Sequence, residues 1–271
     1  MASPIVNFRG AFAAARSEGR ALLLPYAMAG LPDAAGSIEL MTAMATAGAD
    51  GFEIGIPYAD PLMDGPVIQE AGARALAGGM TIGAALDVVA AVTAAVGLPV
   101  AVMTYVNPVM HRGPAAFAAA AAAAGASALI VADLPVDESR EIADACRAAG
   151  IGLVQFAAPT TVGARLGQVV AADPPFVYGI AEMGVTGERS DSSGHAVALV
   201  ARLRELTDLP IALGVGISGP EGAAAAAAIA DGVIVGSALV RRVLEAKNTA
   251  SAASALSVAV AELARAVRQA L

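Results

Sequence analysis

The segment Ala47-Gly48-Ala49-Asp50-Gly51 joins the end of a predicted helix to the start of a predicted buried strand, and its pattern decides the fold. Related segments recur as Ala124-Gly125-Ala126-Ser127-Ala128 and Ala148-Ala149-Gly150-Ile151-Gly152. Each segment places a glycine where a helix ends, and glycine readily adopts the left-handed backbone that such an end needs. An apolar run follows each time, so the three segments mark helix-to-strand junctions.

Short apolar runs alternate with longer alanine-rich segments on both sides of these junctions. The apolar runs are rich in Val, Ile or Leu and lack strict polar alternation, as expected of parallel strands buried on both faces. The predicted strands are 21–28, 51–56, 100–105, 128–132, 152–157, 176–180, 211–215 and 232–235. The predicted helices are 33–47, 66–77, 81–96, 114–124, 138–149, 161–171, 195–206 and 220–229.

The alternation of strands and helices predicts the fold class. Eight strand–helix units in 271 residues average about 34 residues each, a fitting size for one βα repeat. Eight such units favour a (β/α)8 TIM barrel over a doubly wound open sheet. We therefore predict a single barrel domain over residues 1–271. Extra helices at 6–17 and 250–271 would pack outside the barrel or cap its bottom.

The composition excludes several classes of protein. The chain has 16 Lys and Arg against 24 Asp and Glu, and its net charge of −8 argues against a nucleic-acid partner. A single cysteine, Cys146, cannot form an internal disulfide. The chain has one lysine, Lys247, and two histidines, His111 and His195. We therefore expect no Schiff-base chemistry, no metal and no cofactor, and carboxylates become the candidates for catalysis.

The mean hydropathy of +0.69 requires a test for membrane segments. The uncharged run 88–111 is long enough to span a bilayer. It is interrupted by Gly97-Leu98-Pro99 and again at Pro108, which favours a helix, a turn and a strand over one span. Arg9 and Arg16 interrupt the apolar residues near the N-terminus, so no signal peptide is indicated. We expect a cytoplasmic protein that does not enter a membrane.

Two carboxylates lie where a barrel places its active site, at the carboxyl ends of strands and in the loops that follow them. Glu53 falls inside the apolar predicted strand 51–56, where a charge is costly to bury unless it is paired or neutralised. The alternative for Glu53 is a structural pair with a nearby arginine. Asp64 lies in the loop after this strand, and the alternative for it is a cap or turn residue.

Three glycine-containing segments follow the last three predicted strands. They are Gly184-Val185-Thr186-Gly187, Gly214-Val215-Gly216-Ile217-Ser218 and Gly236-Ser237-Ala238. The loops after strands seven and eight commonly bind phosphate in barrels, because backbone N–H groups and a short helix N-terminus face the anion. The helix dipole supplies the positive potential, so even an acidic chain can bind phosphate in this way.

One long stretch carries a resemblance to a known family, Phe52-Glu53-Ile54-Gly55-Ile56-Pro57-Tyr58-Ala59-Asp60-Pro61-Leu62-Met63-Asp64-Gly65-Pro66. It is similar to the signature of the tryptophan synthase alpha chain family. The signature is long and holds both acidic residues at a fixed spacing, so the match is highly specific. The resemblance continues through Met103-Thr104-Tyr105-Val106-Asn107-Pro108, Val131-Ala132-Asp133-Leu134-Pro135 and the three glycine segments.

The resemblance implies a (β/α)8 barrel that cleaves indole-3-glycerol phosphate to indole and D-glyceraldehyde 3-phosphate in tryptophan biosynthesis. At the matching positions Glu53 is the implied general acid and base, Asp64 the second catalytic carboxylate, and Tyr105 an active-site tyrosine. The implied phosphate-binding residues are Gly187, Gly216, Gly236 and Ser237. The implied indole pocket and mobile loop contain Tyr26, Ile130, Thr186 and Val215.

The resemblance also implies a partner, a β chain that receives the indole within an α2β2 heterotetramer. Asp133 and the loop around Pro57 match the face that meets this partner. The chain departs from the family pattern at Ala59, where Ser or Thr is usual, and at 28–32, where Met-Ala-Gly-Leu-Pro replaces Thr-x-Gly-Asp-Pro. Three alternatives remain: a stand-alone lyase that releases free indole, a phosphosugar isomerase, and a non-catalytic subunit that activates the β chain.

Overall fold

The computed structural model describes residues 7–180, 191–214 and 216–270, and for residues 191–193 it describes the backbone alone. The strands in these residues are β1 (Leu22–Met28), β2 (Phe52–Gly55), β3 (Val100–Thr104), β4 (Ala128–Val131), β5 (Gly152–Leu153), β6 (Gln155–Ala157), β7 (Val177–Gly179), β8 (Ile211–Gly214) and β9 (Gly232–Val235). The helices are α1 (Phe8–Ser17), α2 (Ala34–Thr46), α3 (Pro66–Ala77), α4 (Ile82–Val96), α5 (Val106–Arg112), α6 (Pro114–Ala123), α7 (Arg140–Ala148), α8 (Ala164–Ala171), α9 (Asp191–Arg204), α10 (Pro220–Ala227), α11 (Ser237–Glu245) and α12 (Thr249–Arg268).

The strands form one parallel sheet in the order β5-β4-β3-β2-β1-β9-β8-β7-β6. The two ends of this order meet in one stretch of chain, because only Val154 separates β5 from β6. β5 pairs with β4, β6 pairs with β7, and the Val154 N–H donates to the Leu129 carbonyl at 2.9 Å. The predicted strand 152–157 is thus found in two pieces that close the sheet, and the predicted (β/α)8 barrel is confirmed.

The nine strands fall into two groups of consecutive strands. The first half-barrel comprises β1 to β5, and the second half-barrel comprises β6 to β9. β1 joins them, since its residues Leu22 to Pro25 pair with β9 and its residues Tyr26 to Met28 pair with β2. The other junction is Val154.

Side-chain alternation along the strands gives the barrel two apolar layers. Outward residues such as Phe52 and Ile54 are buried against the surrounding helices. Inward residues such as Leu24 and Ile130 fill the barrel itself. This arrangement explains why the strands are apolar on both faces.

Helix α1 closes the bottom of the barrel, the end opposite the βα loops. Asn7 caps the helix, since its side-chain oxygen accepts a hydrogen bond from the Gly10 N–H at 2.8 Å. Phe8 and Phe12 pack against Phe176, with ring centroids 5.2 Å and 5.6 Å from that of Phe176. The expectation that an N-terminal helix caps the bottom is therefore met.

An ion-pair cluster centred on Asp231 also lies at the bottom. Arg16 of α1 approaches Asp231 Oδ1 at 3.1 Å, Arg204 of α9 binds Oδ2, and the Ile211 N–H donates to Oδ2 at 2.8 Å. Burial alone would raise the pKa of Asp231, but the hydrogen bonds from Arg204 and Ile211 outweigh it and lower this pKa. The cluster therefore joins α1, α9, β8 and the start of β9 electrostatically.

The helices agree with the predicted bounds to within a few residues, and α3 begins and ends as predicted. Two helices were not predicted, α5 and α11. Pro108 lies in the first turn of α5, where a backbone N–H group has no hydrogen-bond partner within the helix. The proline therefore does not interrupt the helix, although the sequence predicts a break at this position. The predicted helix 138–149 begins at Arg140, and a short 3-10 turn over Val136–Glu138 precedes it, in which the Ser139 hydroxyl donates to the Val136 carbonyl at 2.8 Å.

The apolar run 88–111 is not one span, since it contains the end of α4, the strand β3 and most of α5. Among the described residues one helix, α12, is long and apolar enough to cross a membrane. α12 packs against α2, α10 and α11, and it buries Leu256, Val260 and Leu263 in the layer between helices and strands. α12 is therefore part of the outer layer of the barrel.

Candidate active site

Glu53 lies near the carboxyl end of β2 and projects into the barrel. Its side chain is only 4% exposed. Tyr26 of β1 and Ala101 of β3 stand directly beside it in the strand register, and the small Ala101 leaves space next to the carboxylate. The Tyr178 hydroxyl donates to Glu53 Oε2 at 3.4 Å. None of the ion pairs found among the described residues involves Glu53, so a structural pair with arginine is not supported there.

Burial controls the protonation of Glu53. Removal from water raises the pKa of Glu53 to about 8, the Tyr178 hydrogen bond opposes this rise, and the nearby charge of Asp64 adds to it. At neutral pH the carboxyl group therefore carries a proton that it can donate. A carboxyl group with a pKa close to the working pH is suited to general acid and general base catalysis alike.

Asp64 lies at the end of the loop that connects β2 to α3. Its backbone N–H donates to the Pro61 carbonyl at 3.0 Å, and Gln69 Nε2 donates to its backbone carbonyl at 2.8 Å. The N-cap of α3 is Gly65, so the Asp64 carboxylate is not used to cap this helix. Burial raises the pKa of Asp64, and hydrogen bonding with the Tyr105 hydroxyl opposes this rise.

Tyr105 immediately follows β3, and its phenol reaches across to the loop that carries Asp64. The Tyr105 hydroxyl accepts a hydrogen bond from the Met63 N–H at 3.2 Å. Its ring lies against Tyr58, with a centroid distance of 5.3 Å, and Asn107 Nδ2 donates to the Tyr58 hydroxyl at 3.0 Å. Burial raises the pKa of Tyr105, with a further contribution from the Asp64 charge, so its hydroxyl remains neutral.

A small cavity, which we call the Asp64 cavity, lies beside these groups. It is lined in part by Tyr26, Gly55, Asp64, Met103 and Tyr105. The Tyr26 side chain crosses β2 at Gly55. A Cβ atom at this position would overlap the Tyr26 hydroxyl, so the close approach requires glycine. The predicted residues Glu53, Asp64, Tyr105 and Tyr26 are therefore brought together at the top of the barrel.

Ile130 of β4 is fully buried among the inward residues of the barrel, beside Met103 in the strand register. It therefore lies on the inner wall, where the sequence places a pocket residue.

Sequence reasoning missed Tyr178, which donates a hydrogen bond to Glu53. Tyr178 lies on β7, and its ring packs against Phe156 at a centroid distance of 5.1 Å. Gly214 of β8 faces this ring so closely that a Cβ atom would overlap it. An aromatic residue in an apolar strand is typical of a core position, so only the inward register of β7 could have indicated its contact with Glu53.

The predicted phosphate residues are described in part. Gly216 has a backbone φ of +57°, a conformation that favours glycine, and it lies between β8 and α10. Gly236 and Ser237 stand at the start of α11, whose first N–H groups have no partner within the helix. Thr186, Gly187 and Val215 lie outside the described residues. Within the described residues no three His, Cys, Asp or Glu side chains cluster closely enough to hold a metal ion.

Comparison with known proteins identifies relatives over nearly the whole chain. The family profile of the tryptophan synthase alpha chain matches residues 12–268. The tryptophan synthase alpha chain of Salinispora tropica is 49% identical over 258 residues, which cover 95% of this chain and 96% of that protein. The alpha chain of Caulobacter vibrioides is 43% identical over 261 residues, covering 96% and 95%.

Solved structures agree with this assignment. A tryptophan synthase structure from Mycobacterium tuberculosis superposes with a TM-score of 0.88 at 39% identity, covering 98% of this chain and 99% of that one. Tryptophan synthase subunit alpha from Legionella pneumophila gives a TM-score of 0.88 at 29% identity, covering 97% and 99%. By sequence and by fold, the chain belongs to the tryptophan synthase alpha chain family.

Proposed function

We propose that this chain cleaves indole-3-glycerol phosphate to indole and D-glyceraldehyde 3-phosphate, with Glu53 as general acid and base. The observation that carries the residue assignment is the buried Glu53 carboxyl group, with a pKa of about 8, beside Asp64 at the top of the barrel. Two carboxyl groups in different environments can divide the work, one transferring protons and the other stabilising charge.

The cleavage is a retro-aldol reaction. A proton adds to the indole carbon that carries the side chain, which makes the ring nitrogen positively charged. The hydroxyl group on the adjacent side-chain carbon then loses its proton, the carbon–carbon bond breaks, and its electron pair returns to the ring. The products are indole and the aldehyde, so one proton is taken up and one is released. A single acid–base group can serve both transfers.

Glu53 is suited to the proton transfers, because its carboxyl group is protonated at neutral pH and lies inside the barrel. Asp64 accepts a hydrogen bond from the indole N–H and stabilises the charge that develops on the ring nitrogen. Tyr105 holds Asp64 through its hydroxyl. Tyr26, Ile130 and Val215 enclose the indole ring.

Phosphate is bound at the other side of the barrel mouth, by Gly216, Gly236 and Ser237 together with Gly187. The N-terminus of α11 supplies free N–H groups and the positive end of a helix dipole. Thr186 lies outside the described residues, and the family resemblance assigns it a place beside the substrate. Fixing the phosphate uses binding energy remote from the reacting carbon to orient it against Glu53.

The partner is a tryptophan synthase β chain, which receives the indole within an α2β2 heterotetramer. Large apolar side chains are exposed near the mouth of the barrel, Leu62 at 80%, Met63 at 60% and Met110 at 48%. Such exposure in a soluble chain is typical of a protein-binding surface. Asp133, whose carboxylate accepts a hydrogen bond from the Val106 N–H at 2.7 Å, orders the neighbouring loop. As a biosynthetic enzyme, the chain acts in the cytoplasm.

The test is an indole-release assay with the purified chain and indole-3-glycerol phosphate. The wild type should release indole, while E53Q and D64N should lose nearly all activity and still bind glyceraldehyde 3-phosphate. E70Q is the matched control, because it makes the same change on the exposed face of α3 and should keep full activity. Substantial activity in E53Q would show that the acid–base assignment is wrong.

Addition of a purified β chain distinguishes the alternatives. A large acceleration of indole formation supports the synthase subunit, while rapid turnover without acceleration supports a stand-alone lyase. A wild-type chain that releases no indole but activates the β chain would support the non-catalytic alternative.

A further inference from the structure

The last residue of β3, Thr104, carries a buried hydroxyl group that the proposed mechanism does not use. Its side chain is 1% exposed. Within the described part of the chain, Thr104 Oγ1 is the one buried side-chain nitrogen or oxygen without a hydrogen-bond partner. Buried polar groups in native proteins are bonded to protein or to ordered water in the large majority of cases. A single unpaired hydroxyl group therefore points to a ligand.

The position of Thr104 places it behind the wall of the substrate pocket. Met103, the preceding residue, belongs to the inner layer of the barrel, so strand alternation directs Thr104 outward, toward the helices. Thr104 lines the Asp64 cavity, together with Asp64, Tyr105 and Ile68 of α3. The space in this cavity open to the centre of a water molecule is about 10 Å³, which is about the space that one water molecule needs.

The other polar groups of the Asp64 cavity are largely accounted for. The Tyr58 hydroxyl accepts from Asn107, and the Tyr105 hydroxyl accepts from the Met63 N–H and bonds to Asp64. The Asp64 carboxylate has two oxygens and room for further donors. Thr104 and Asp64 therefore share one cavity and have unused hydrogen-bonding capacity.

We propose that Thr104 is a positioning residue for Asp64, holding an ordered water molecule in the Asp64 cavity that donates a hydrogen bond to the Asp64 carboxylate. The inference rests on the proposed function, since Asp64 matters for catalysis only there.

Removal of the Thr104 hydroxyl group should change the pKa of Asp64 in one direction. A hydrogen bond donated to a carboxylate favours its ionised form, so losing it raises the pKa of Asp64. The titratable groups that face Asp64 are Glu53, Tyr26, Tyr105 and Tyr178, and none of them is changed by a substitution at Thr104. The acid limb of the pH profile therefore moves upward when the Thr104 hydroxyl is removed.

The experiment compares T104V, which keeps the shape but removes the hydroxyl group, with T104S, which keeps the hydroxyl group. We expect kcat of T104V to fall about tenfold and its acid limb to rise by about one pH unit, as for the loss of one hydrogen bond to a charged group. KM should change less than about twofold, because the phosphate site is untouched. T104S should stay within about threefold of the wild type, and thermal unfolding should show T104V to be at least as stable.

Two results would overturn the inference. One is a T104V variant with the kcat and pH profile of the wild type, and the other is a T104S variant that loses as much activity as T104V. A crystal structure of the wild type at about 1.5 Å resolution tests the inference without an activity measurement. It must show a water molecule bonded to both Thr104 Oγ1 and the Asp64 carboxylate. A wild type that releases no indole defeats the proposed function instead, whatever the crystal structure shows at Thr104.

Discussion

Replacing Glu53 by Gln should stabilise the protein at neutral and alkaline pH while it removes the activity. Burial gives the Glu53 carboxyl group a pKa of about 8, against 4.5 for an exposed glutamate. Gln has nearly the same shape, and it cannot ionise. The E53Q variant therefore avoids the cost of a buried charge that the wild type meets as the pH rises.

The size of the effect follows from the pKa difference. Between pH 4.5 and pH 8 the folded wild type keeps a proton that the unfolded chain has released. Its free energy of unfolding therefore falls as the pH rises, by up to about 1.4 kcal/mol per pH unit. The accumulated loss is about 3 kcal/mol at pH 7 and approaches about 5 kcal/mol above pH 9. Below pH 4.5 the carboxyl group is protonated in both states, and the loss disappears.

Urea unfolding of both proteins at pH 5, 6, 7 and 8 measures this prediction. Other groups titrate alike in the two chains, so the difference in free energy of unfolding isolates Glu53. This difference should grow in favour of E53Q by about 3–4 kcal/mol between pH 5 and pH 8. E70Q, which changes an exposed carboxylate, should follow the wild type throughout. A difference that does not vary with pH would refute the reasoning, because it would show that the folded and unfolded states titrate alike.

Three further predictions concern the neighbours of Glu53 and the bottom of the barrel. Y178F removes the hydrogen bond that opposes the raised pKa of Glu53, so the corresponding limb of the kcat–pH profile should move to higher pH. An unchanged profile would contradict that contact. G214A places a methyl group against the Tyr178 ring, and indole release should fall about tenfold or more while circular dichroism stays native. Wild-type activity would show that the ring moves freely. D231N should lower the free energy of unfolding at pH 7 by about 2 kcal/mol, because Arg204 loses its partner. The lowered pKa of Asp231 means that its contribution is present above the usual aspartate pKa and disappears as the pH falls, so an equal loss at pH 2 would contradict the ion-pair account.

The sequence predicts the barrel and its carboxylates well for a physical reason. Alternating buried strands and helices is a local pattern, and a glutamate inside an apolar run, like Glu53, is conspicuous in one short window. The loop that carries Asp64 follows directly, so both acidic groups lie within one βα unit. Local signals of this kind do not require the closure of the barrel to be known.

The missed features depend on distant parts of the chain. Tyr178 is 125 residues from Glu53, and only the closed sheet brings the two together. The unpaired state of Thr104 is likewise a property of its surroundings, since threonine is an ordinary strand residue. The helix α5 is not evident from the sequence because Pro108 suggests a break, although proline is tolerated in a first turn.

In the proposed site the substrate binds to residues of both half-barrels. In the proposed site the first half-barrel holds the indole ring through Asp64 and Tyr105, and the second half-barrel holds the phosphate through Gly216 and Ser237. Intact indole-3-glycerol phosphate therefore spans both halves, with one anchor at Asp64 and the other at the phosphate site. Cleavage separates the ring from the phosphate, so neither product is held at both anchors.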